Sequence, residues 1–333
     1  MKTLKATLAL APLSIALVSS TADGQGIYWQ DNFDSFGSPS TITAAGTANG
    51  YDILFNASAG PSDFGAVFGY DYSAAGIPSA PNSGGSTRGL QLYVNKDATV
   101  ANTAVNLYPT GLSVSGDFKL RFDLWMNYPS SGNTTEHALF GINHSGTFAN
   151  RAANAAGSDG LFFAMSGEGG SSGTSTTARD YSVFRGQGAG LAPLLLRTNN
   201  FTFGPDSGIG NSFDNADPLA GSTFPSGSHP YGFSGVPGMR WVQGEVRQET
   251  VDGSPLVTWM LNGVIFAQYT NSTAYTAGDI MIGYNDIFTS VSPADTYVVF
   301  DNIVVSTIPE PTTAVLAGMG AVAMIGYIRR RRN

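Results

Sequence analysis

The sequence predicts an all-β protein built as an antiparallel β-sandwich, and three observations support this prediction. Short segments alternate between apolar and polar residues, which is the pattern of a half-buried strand. Glycine is frequent, at 42 of 333 residues, and it recurs between these segments as a turn residue. The central part of the chain has no long stretch with a 3.6-residue apolar period and helix caps. Many short strands joined by glycine turns are typical of a β-sandwich.

The segment Leu120–Asn127 gives the clearest alternation. The residues expected to face a core are Leu120, Phe122, Leu124 and Met126. Those expected to face outward are Arg121, Asp123, Trp125 and Asn127. Further candidate strands are Leu90–Val94, Ala138–Ile142, Leu161–Met165, Tyr181–Arg185, Trp241–Gln248, Leu256–Leu261, Val264–Tyr269, Ile280–Tyr284 and Tyr297–Val305.

Two turns and one long connection organise these strands into a single domain. Asn262-Gly263 and Asp252-Gly253 are residue pairs that favour two-residue hairpin turns with positive φ. The stretch Gly186–Gly238 is rich in Gly, Ser, Pro and Asn and shows no convincing strand. A connection of this length is unusual inside a compact domain, so we expect an insertion over one edge or face of the sandwich.

The first residues have the pattern of a secretory signal peptide. Lys2 and Lys5 precede an apolar run from Leu8 to Val18, which is followed by small residues ending at Ala22. The run is shorter than the roughly 20 residues needed to span a bilayer. We therefore predict export, with residues 1–22 forming a signal helix that signal peptidase removes after Ala22.

The last residues combine three features in a fixed order. Pro309, Glu310 and Pro311 precede an apolar stretch from Thr313 to Ile328, and the chain ends with Arg329, Arg330, Arg331, Arg332 and Asn333. This order resembles a PEP-CTERM sorting signal. The resemblance implies recognition by an exosortase-type protease in a Gram-negative bacterium. It also implies a short transmembrane helix that anchors the protein in the inner membrane before delivery to the cell surface or extracellular matrix. A plain single-pass anchor is the alternative for residues 309–333.

The body between these ends, residues 23–308, carries its own family resemblance. Trp241, Asp252-Gly253, Trp259 and Leu261–Val264 resemble the hairpins of concanavalin A-like lectin and glucanase domains. Phe300–Val305 and Asp31–Asp34 are similar to the paired terminal strands of these jelly rolls. The resemblance implies a jelly-roll β-sandwich, a fold that serves binding, hydrolysis and scaffolding alike.

Charge and composition exclude several classes of function. Of the 16 basic residues, Lys2, Lys5 and the four terminal arginines lie outside the body, and of the 24 acidic residues only Glu310 does. The body therefore has a net charge near −13, which argues against nucleic acid as a partner. The absence of cysteine removes thiol catalysis and thiolate metal sites.

No recognisable catalytic motif emerges from the acidic residues or the histidines. Glycoside hydrolysis needs two carboxylates that face one sugar ring. Glu245 and Glu249 share a strand face with Arg247 between them, a pattern that favours a solvated ion-pair face over an acid/base pair. His137, His144 and His229 are scattered, as surface or satisfied core residues usually are. We therefore predict a protein that is not an enzyme.

Sugar binding requires only an exposed aromatic ring with polar neighbours. Trp125 is expected to face outward beside Arg121, Asp123 and Asn127, with Tyr93 on a neighbouring strand. These five residues form the predicted ligand site. The alternative is that Trp125 belongs to a second core layer beneath the Gly186–Gly238 insertion, because tryptophan is mostly buried in proteins.

Calcium is the ion that the acidic residues near the two ends of the body suggest. Asp31, Asp34, Asp301 and Asn302 lie on segments expected to pair, and their oxygens suit Ca²⁺. The alternative is that these residues cap turns and edge strands.

Two hypotheses about function remain. The first is an exported, non-catalytic surface or matrix protein that binds exopolysaccharide, and the second is a secreted glycoside hydrolase or polysaccharide lyase.

Overall fold

Two antiparallel sheets form the computed structural model, which describes residues 26–56, 62–97, 103–128, 136–152, 157–167, 181–197, 223–225, 235–288, 291 and 294–308. Contacts group Gly26–Ile308 into one compact unit. The predicted signal peptide and the predicted sorting tail, with their expected helices, lie outside the described residues. Within the described part of the chain, no helix is long and apolar enough to cross a membrane.

The described strands are, in chain order, β1 (Ile27–Asp31), β2 (Ser40–Ile42), β3 (Gly46–Ala48), β4 (Tyr51–Asn56), β5 (Gly65–Asp71), β6 (Arg88–Tyr93), β7 (Thr103–Pro109), β8 (Val114–Ser115), β9 (Phe118–Asn127), β10 (Glu136–His144), β11 (Leu161–Ser166), β12 (Tyr181–Arg185), β13 (Leu194–Arg197), β14 (Trp241–Val251), β15 (Ser254–Leu261), β16 (Val264–Thr270), β17 (Ala277–Asp286) and β18 (Tyr297–Thr307). A short 3₁₀ helix, Tyr72–Ala75, follows β5.

In the described part of the chain, each sheet has nine strands. The first sheet has the order β16-β15-β14-β9-β18-β6-β5-β2, and β1 also pairs with β18. The second sheet has the order β13-β12-β11-β10-β17-β7-β4-β3, and β8 also pairs with β17. The all-β antiparallel sandwich predicted from the sequence is thereby confirmed. The strands near the two ends of the body are neighbours, because Ile27–Asp31 pairs with Ile303–Ser306.

The main core lies between the sheets and follows the predicted alternation. Leu120, Phe122, Leu124 and Met126 of β9 are fully or almost fully buried in it. Phe122 packs against Phe140 of the second sheet, with ring centroids 4.8 Å apart. Burying apolar area of this kind contributes about 25 cal/mol per Å² and is the main favourable term for the fold.

Every strand listed as a candidate from the sequence is found, with bounds that differ by a few residues. Asn262 and Gly263 connect β15 to β16 with φ values of 49° and 77°, and Asp252 and Gly253 connect β14 to β15 with φ values of 50° and 77°. Both predicted hairpin turns are therefore confirmed.

The sequence missed several strands, and the reasons differ. β7 is buried at every position, because one of its faces meets the main core and the other is covered by a second apolar cluster around Tyr108. Such a strand has no alternation to detect. The insertion was expected to hold no strand, and this was wrong for Leu194–Arg197, which pairs with β12.

Candidate functional site

The outer face of β9 divides into an open half and a covered half. β14 and β18 flank this strand in the first sheet, and its outward positions are Arg121, Asp123, Trp125 and Asn127. Arg121 is exposed, whereas the other three are buried. The two halves therefore offer different chemistry on the same strand.

The covered half is a second apolar layer. Trp125 is 7% exposed and packs against Trp241, with ring centroids 5.8 Å apart. Its Nε1 donates to Asn127 Oδ1 at 3.1 Å, and Asn127 Nδ2 donates to the carbonyl oxygen of Asp295 at 2.6 Å. Tyr93 is half-buried against the same cluster.

Three of the predicted ligand residues, Trp125, Asn127 and Tyr93, are thus packing residues in this structure. Trp125 belongs to a second core layer, which is the alternative that the sequence offered for this residue. Among the described residues, Tyr72, Ile77 and Trp241 belong to the cluster around Trp125, and they lie outside the Gly186–Gly238 insertion.

The open half is the floor of a groove of about 780 Å³. The groove crosses the outer face of the first sheet over β1, β18, β9, β14 and β15, and the turns after β1 and after the 3₁₀ helix also contribute to it. It is lined by Gln30, Asp31, Asn32, Ser35, Asn82, Arg121, Phe122, Gln243, Gly244, Glu245, Arg247, Met260, Gly263, Asn302, Ile303 and Val304. Arg121 is the member of the predicted ligand set that lines it.

Asp123 lies beneath this groove with no exposed surface. Its carboxylate accepts hydrogen bonds from the Asn82 backbone N–H at 3.0 Å and from Asn82 Nδ2 at 2.9 Å. Asn302 Nδ2 donates to it at 2.8 Å. Burial raises the pKa of Asp123, and the three donors act in the opposite direction. One buried carboxylate therefore holds two amide side chains of the groove.

A bulge in β18 places Asn302 in this position. The register between β18 and β9 shifts between Asp301 and Val304, and Asn302 has a left-handed φ of 50°. A bulge adds one residue to a strand and re-aims its side chain. The bulge therefore allows the Asn302 side chain to line the groove.

Asp301 faces Asp123 directly across the strand pair. It is fully buried and accepts hydrogen bonds from Tyr72 Oη at 3.0 Å and from the Asn302 backbone N–H at 2.7 Å. Burial raises the pKa of Asp301 to about 7, with the neighbouring Asp123 and Asp34 adding to the rise. At neutral pH a substantial fraction of Asp301 is therefore protonated.

The residues predicted to bind calcium do not face one point. Asp31 lies opposite Ile303, a core residue, and accepts a hydrogen bond from Tyr51 Oη of the second sheet at 3.0 Å. Asp301 is the cross-strand partner of Asp123 on the outer face. The carboxylates of Asp31 and Asp301 therefore lie on opposite faces of the sheet. No group of three or more His, Asp or Glu in the described residues could hold a metal ion. The placed side chains thus do not fit a calcium ion shared by Asp31, Asp34, Asp301 and Asn302.

Three of the charged side chains in the groove come from two neighbouring strands, β9 and β14. Arg247 Nε forms an ion pair with Glu245 Oε1, as expected for a solvated ion-pair face. Arg121 lies directly across from Glu245 but forms no ion pair within 4.0 Å among the described residues. Within the described ranges, the groove thus presents the Arg121 guanidinium without an ion-pair partner, beside several amides.

Two further clusters of buried titratable residues lie away from the groove. Glu136 and Asp286 are cross-strand partners with no exposed surface, and burial raises the pKa of Asp286 to about 7 with a contribution from Glu136. His144 Nδ1 lies 3.0 Å from Asp159 Oδ1 inside the protein. The sequence alone shows His144 as a scattered residue, because its partner Asp159 is fifteen positions away with no recognisable spacing. None of these side chains lines the groove.

No protein-family model and no curated protein matches the sequence. Solved structures are similar at the level of the chain trace only. The carbohydrate recognition domain of Emp47p has 10% identity and a TM-score of 0.38, covering 78% of this chain and 89% of that one. The VIP36 exoplasmic/lumenal domain in its Ca²⁺/Man-bound form has 10% identity and a TM-score of 0.41, covering 78% and 84%. A Bacillus subtilis protein of unknown function with a galectin-like fold has 9% identity and a TM-score of 0.37, covering 78% and 91%. A likeness this distant identifies no binding residue in the present chain.

Proposed function

We propose that this protein is an exported, non-catalytic carbohydrate-binding protein and that its ligand lies in the groove on the outer face of the first sheet. The observation that carries the proposal is the groove itself. Its volume of about 780 Å³ lies within the roughly 300–1,000 Å³ of typical ligand sites.

The polar groups in the groove suit a ligand with many hydroxyl groups. Amide side chains both donate and accept hydrogen bonds, as sugar hydroxyls do. Gln30, Gln243, Asn82 and Asn302 supply such amides, and Arg121 supplies a planar set of donors. The apolar side chains of Val304, which is half-buried, and Met260, which is buried, also line the groove, and Val304 would meet the C–H face of a sugar ring.

The placement of the carboxylates favours binding over hydrolysis. Asp31 on β1 and Glu245 on β14 are the acidic residues that line the groove. The Asp31 carboxylate accepts a hydrogen bond from Tyr51 Oη of the second sheet, so it points to the face opposite Glu245, and β18 and β9 lie between the two strands. The two carboxylates of a glycoside hydrolase stand about 5–10 Å apart. The hydrolase hypothesis therefore has less support than binding.

The exported location belongs to the same proposal and rests on the sequence of the two ends. Signal peptidase and an exosortase-type protease would be the processing partners, and exopolysaccharide the ligand outside the cell. Mass spectrometry of surface-extracted protein should find an N-terminus near Asp23 and a C-terminus near Pro309–Pro311. Recovery of the uncleaved chain from the cytosol would contradict this part of the proposal.

Glycan-array screening followed by calorimetry tests the binding function. We expect the purified protein to bind at least one polysaccharide, and Arg121→Ala to weaken that binding about tenfold, because the variant removes a charged donor from the groove. Arg185→Ala is the matched control, since Arg185 lies on β12 of the second sheet. Equal binding by the Arg121→Ala and Arg185→Ala variants would exclude the groove as the site.

A further inference from the structure

The buried carboxylate under the groove has a consequence for the ligand. We propose that Asp123 is a positioning residue that turns the carbonyl oxygens of Asn82 and Asn302 towards the groove, where they accept hydrogen bonds from unsubstituted ligand hydroxyls. This inference rests on the proposed carbohydrate-binding function and specifies which glycans the groove accepts.

The chemistry of Asp123 decides how the two amides are oriented. An ionised carboxylate can only accept hydrogen bonds, so each amide must turn its NH₂ group towards Asp123. Asn82 Nδ2 and Asn302 Nδ2 do so at 2.9 and 2.8 Å. Because an amide group is planar, each carbonyl oxygen then points away from Asp123. Both asparagines line the groove above it.

The two carbonyl oxygens are available to a ligand. In the described part of the chain, no protein group donates a hydrogen bond to Asn82 Oδ1 or to Asn302 Oδ1. Asn82 is exposed and Asn302 is partly exposed, whereas Asp123 is fully buried. A ligand therefore meets two acceptors and does not meet the charge that orients them.

Contacts with the backbone keep both asparagines in place. The Asn302 N–H donates to Asp301 at 2.7 Å. The loop that carries Asn82 is fixed by Tyr72, whose hydroxyl oxygen lies 3.0 Å from the Ser86 carbonyl oxygen and accepts from the Ala80 N–H at 3.2 Å. Groups held in this way before binding lose little conformational freedom when a ligand arrives. The arrangement is a preformed acceptor pair.

The acceptor pair defines a class of ligand. A free hydroxyl donates to a carbonyl oxygen, whereas a methyl ether at the same position has no hydrogen to donate. A groove that relies on these two acceptors should therefore prefer unsubstituted glycans over O-methylated ones by about tenfold, since the methylated ligand leaves an acceptor without a donor in the complex.

The test uses Asp123→Asn in the purified full chain, with calorimetry on one unsubstituted oligosaccharide from the array and its O-methylated form. The new amide offers a donor where Asp123 offered only acceptors, so at least one neighbouring asparagine must turn its NH₂ towards the groove. We expect about tenfold weaker binding of the unsubstituted sugar and a preference over the methylated sugar that falls from about tenfold to near one. Asp117→Asn is the control, because Asp117 bonds Thr250 instead of a groove residue.

A double-mutant cycle separates positioning from a general loss of structure. If Asp123 acts through the two asparagines, then Asp123→Asn should weaken binding little further in an Asn82→Ala/Asn302→Ala background. Additive losses, or an unchanged methylation preference in Asp123→Asn, would overturn the positioning role. If Asp123→Asn does not fold, the methylation preference of Asn82→Ala and Asn302→Ala decides the question.

The two proposals can fail separately. A wild-type protein that binds no glycan overturns both the proposed function and the positioning role. Binding that is lost in Arg121→Ala but kept with full methylation preference in Asp123→Asn overturns the positioning role alone.

Discussion

Each outer face of the sandwich contains a buried aspartate, Asp301 on the first sheet and Asp159 on the second. The pKa of Asp301 is raised, whereas the pKa of Asp159 is lowered. On the first sheet, burial raises the pKa of Asp301 to about 7, and its cross-strand neighbour Asp123 adds to the rise. On the second sheet, burial also acts to raise the pKa of Asp159. There the hydrogen bond and charge of His144, with further donors from Asn150 and Ser145, hold that pKa well below its usual range.

The comparison shows that burial alone does not set the charge of an outer-face carboxylate. Both side chains are nearly inaccessible, at 0% for Asp301 and 3% for Asp159. Asp301 faces another carboxylate, whereas Asp159 faces a base and several N–H donors. The first is a proton-binding group near neutral pH, and the second is an ion-pair partner that stays ionised.

The largest effect should come from removing the base beside Asp159. We expect His144→Ala to lower the free energy of unfolding by about 3–5 kcal/mol at pH 7, because it removes a hydrogen-bond partner of a buried carboxylate and leaves a cavity where the ring stood. The ring also fills space that glycines provide, since a Cβ at Gly160 would lie 2.6 Å from His144 Nδ1. Urea denaturation measures the loss.

The exposed ion pair on the first sheet is the control for this experiment. Arg247 is 37% exposed at its side chain and bonds Glu245. Exposed pairs contribute about 0–1 kcal/mol, so Arg247→Ala should cost far less than His144→Ala. Equal losses would mean that the His144–Asp159 pair is not buried as described.

The next effect concerns the pH dependence that Asp301 creates. An acid with a raised folded-state pKa binds its proton more tightly when folded, so its contribution to stability is complete below pH 3.8 and is lost as pH rises to about 7. Asp301→Asn cannot ionise, so relative to wild type it should be more stable at pH 8 than at pH 4 by about 2–4 kcal/mol.

Thermal unfolding of both proteins from pH 4 to 8 measures this difference. Asp286 also has a pKa of about 7, but it is present in both proteins and cancels in the comparison. A stability difference that does not change with pH would show that Asp301 is ionised throughout, like Asp159.

The sequence predicted the strands better than it predicted the outer face. The strand Leu120–Asn127 is recognisable from its alternation of apolar and polar residues, a pattern that depends only on residues close in sequence. The burial of Asp123 and Trp125 depends on Asn82, Tyr72 and Trp241, which reach β9 from distant parts of the chain. Alternation could place Asp123 and Trp125 opposite the core, but it carried no information about what covers them.

The groove was missed for a related reason. Glu245 and Arg247 were correctly interpreted as an ion-pair face, and Arg121 was placed outward, but their strands adjoin only in the folded sheet. The bulge at Asn302 breaks the alternation of β18, so its direction could not be inferred from spacing. A sequence signal did exist in Asn302 itself, since asparagine tolerates positive φ better than most residues.

The smallest effect should come from calcium, and it tests whether Asp301 responds to protons or to an ion. The oxygens of Asp301 already accept hydrogen bonds from Tyr72 and Asn302, and Asp31 points to the opposite face of the sheet. We therefore expect millimolar calcium or a chelator to change the melting temperature by less than about 1 °C at pH 7. An ion that binds the folded state at a hundredfold excess over its Kd would add about 2.7 kcal/mol and raise that temperature by several degrees. Such a rise, if absent in Asp301→Asn, would restore the calcium site predicted from the sequence. The partner of the Asp301 carboxylate would then be the ion and not a proton.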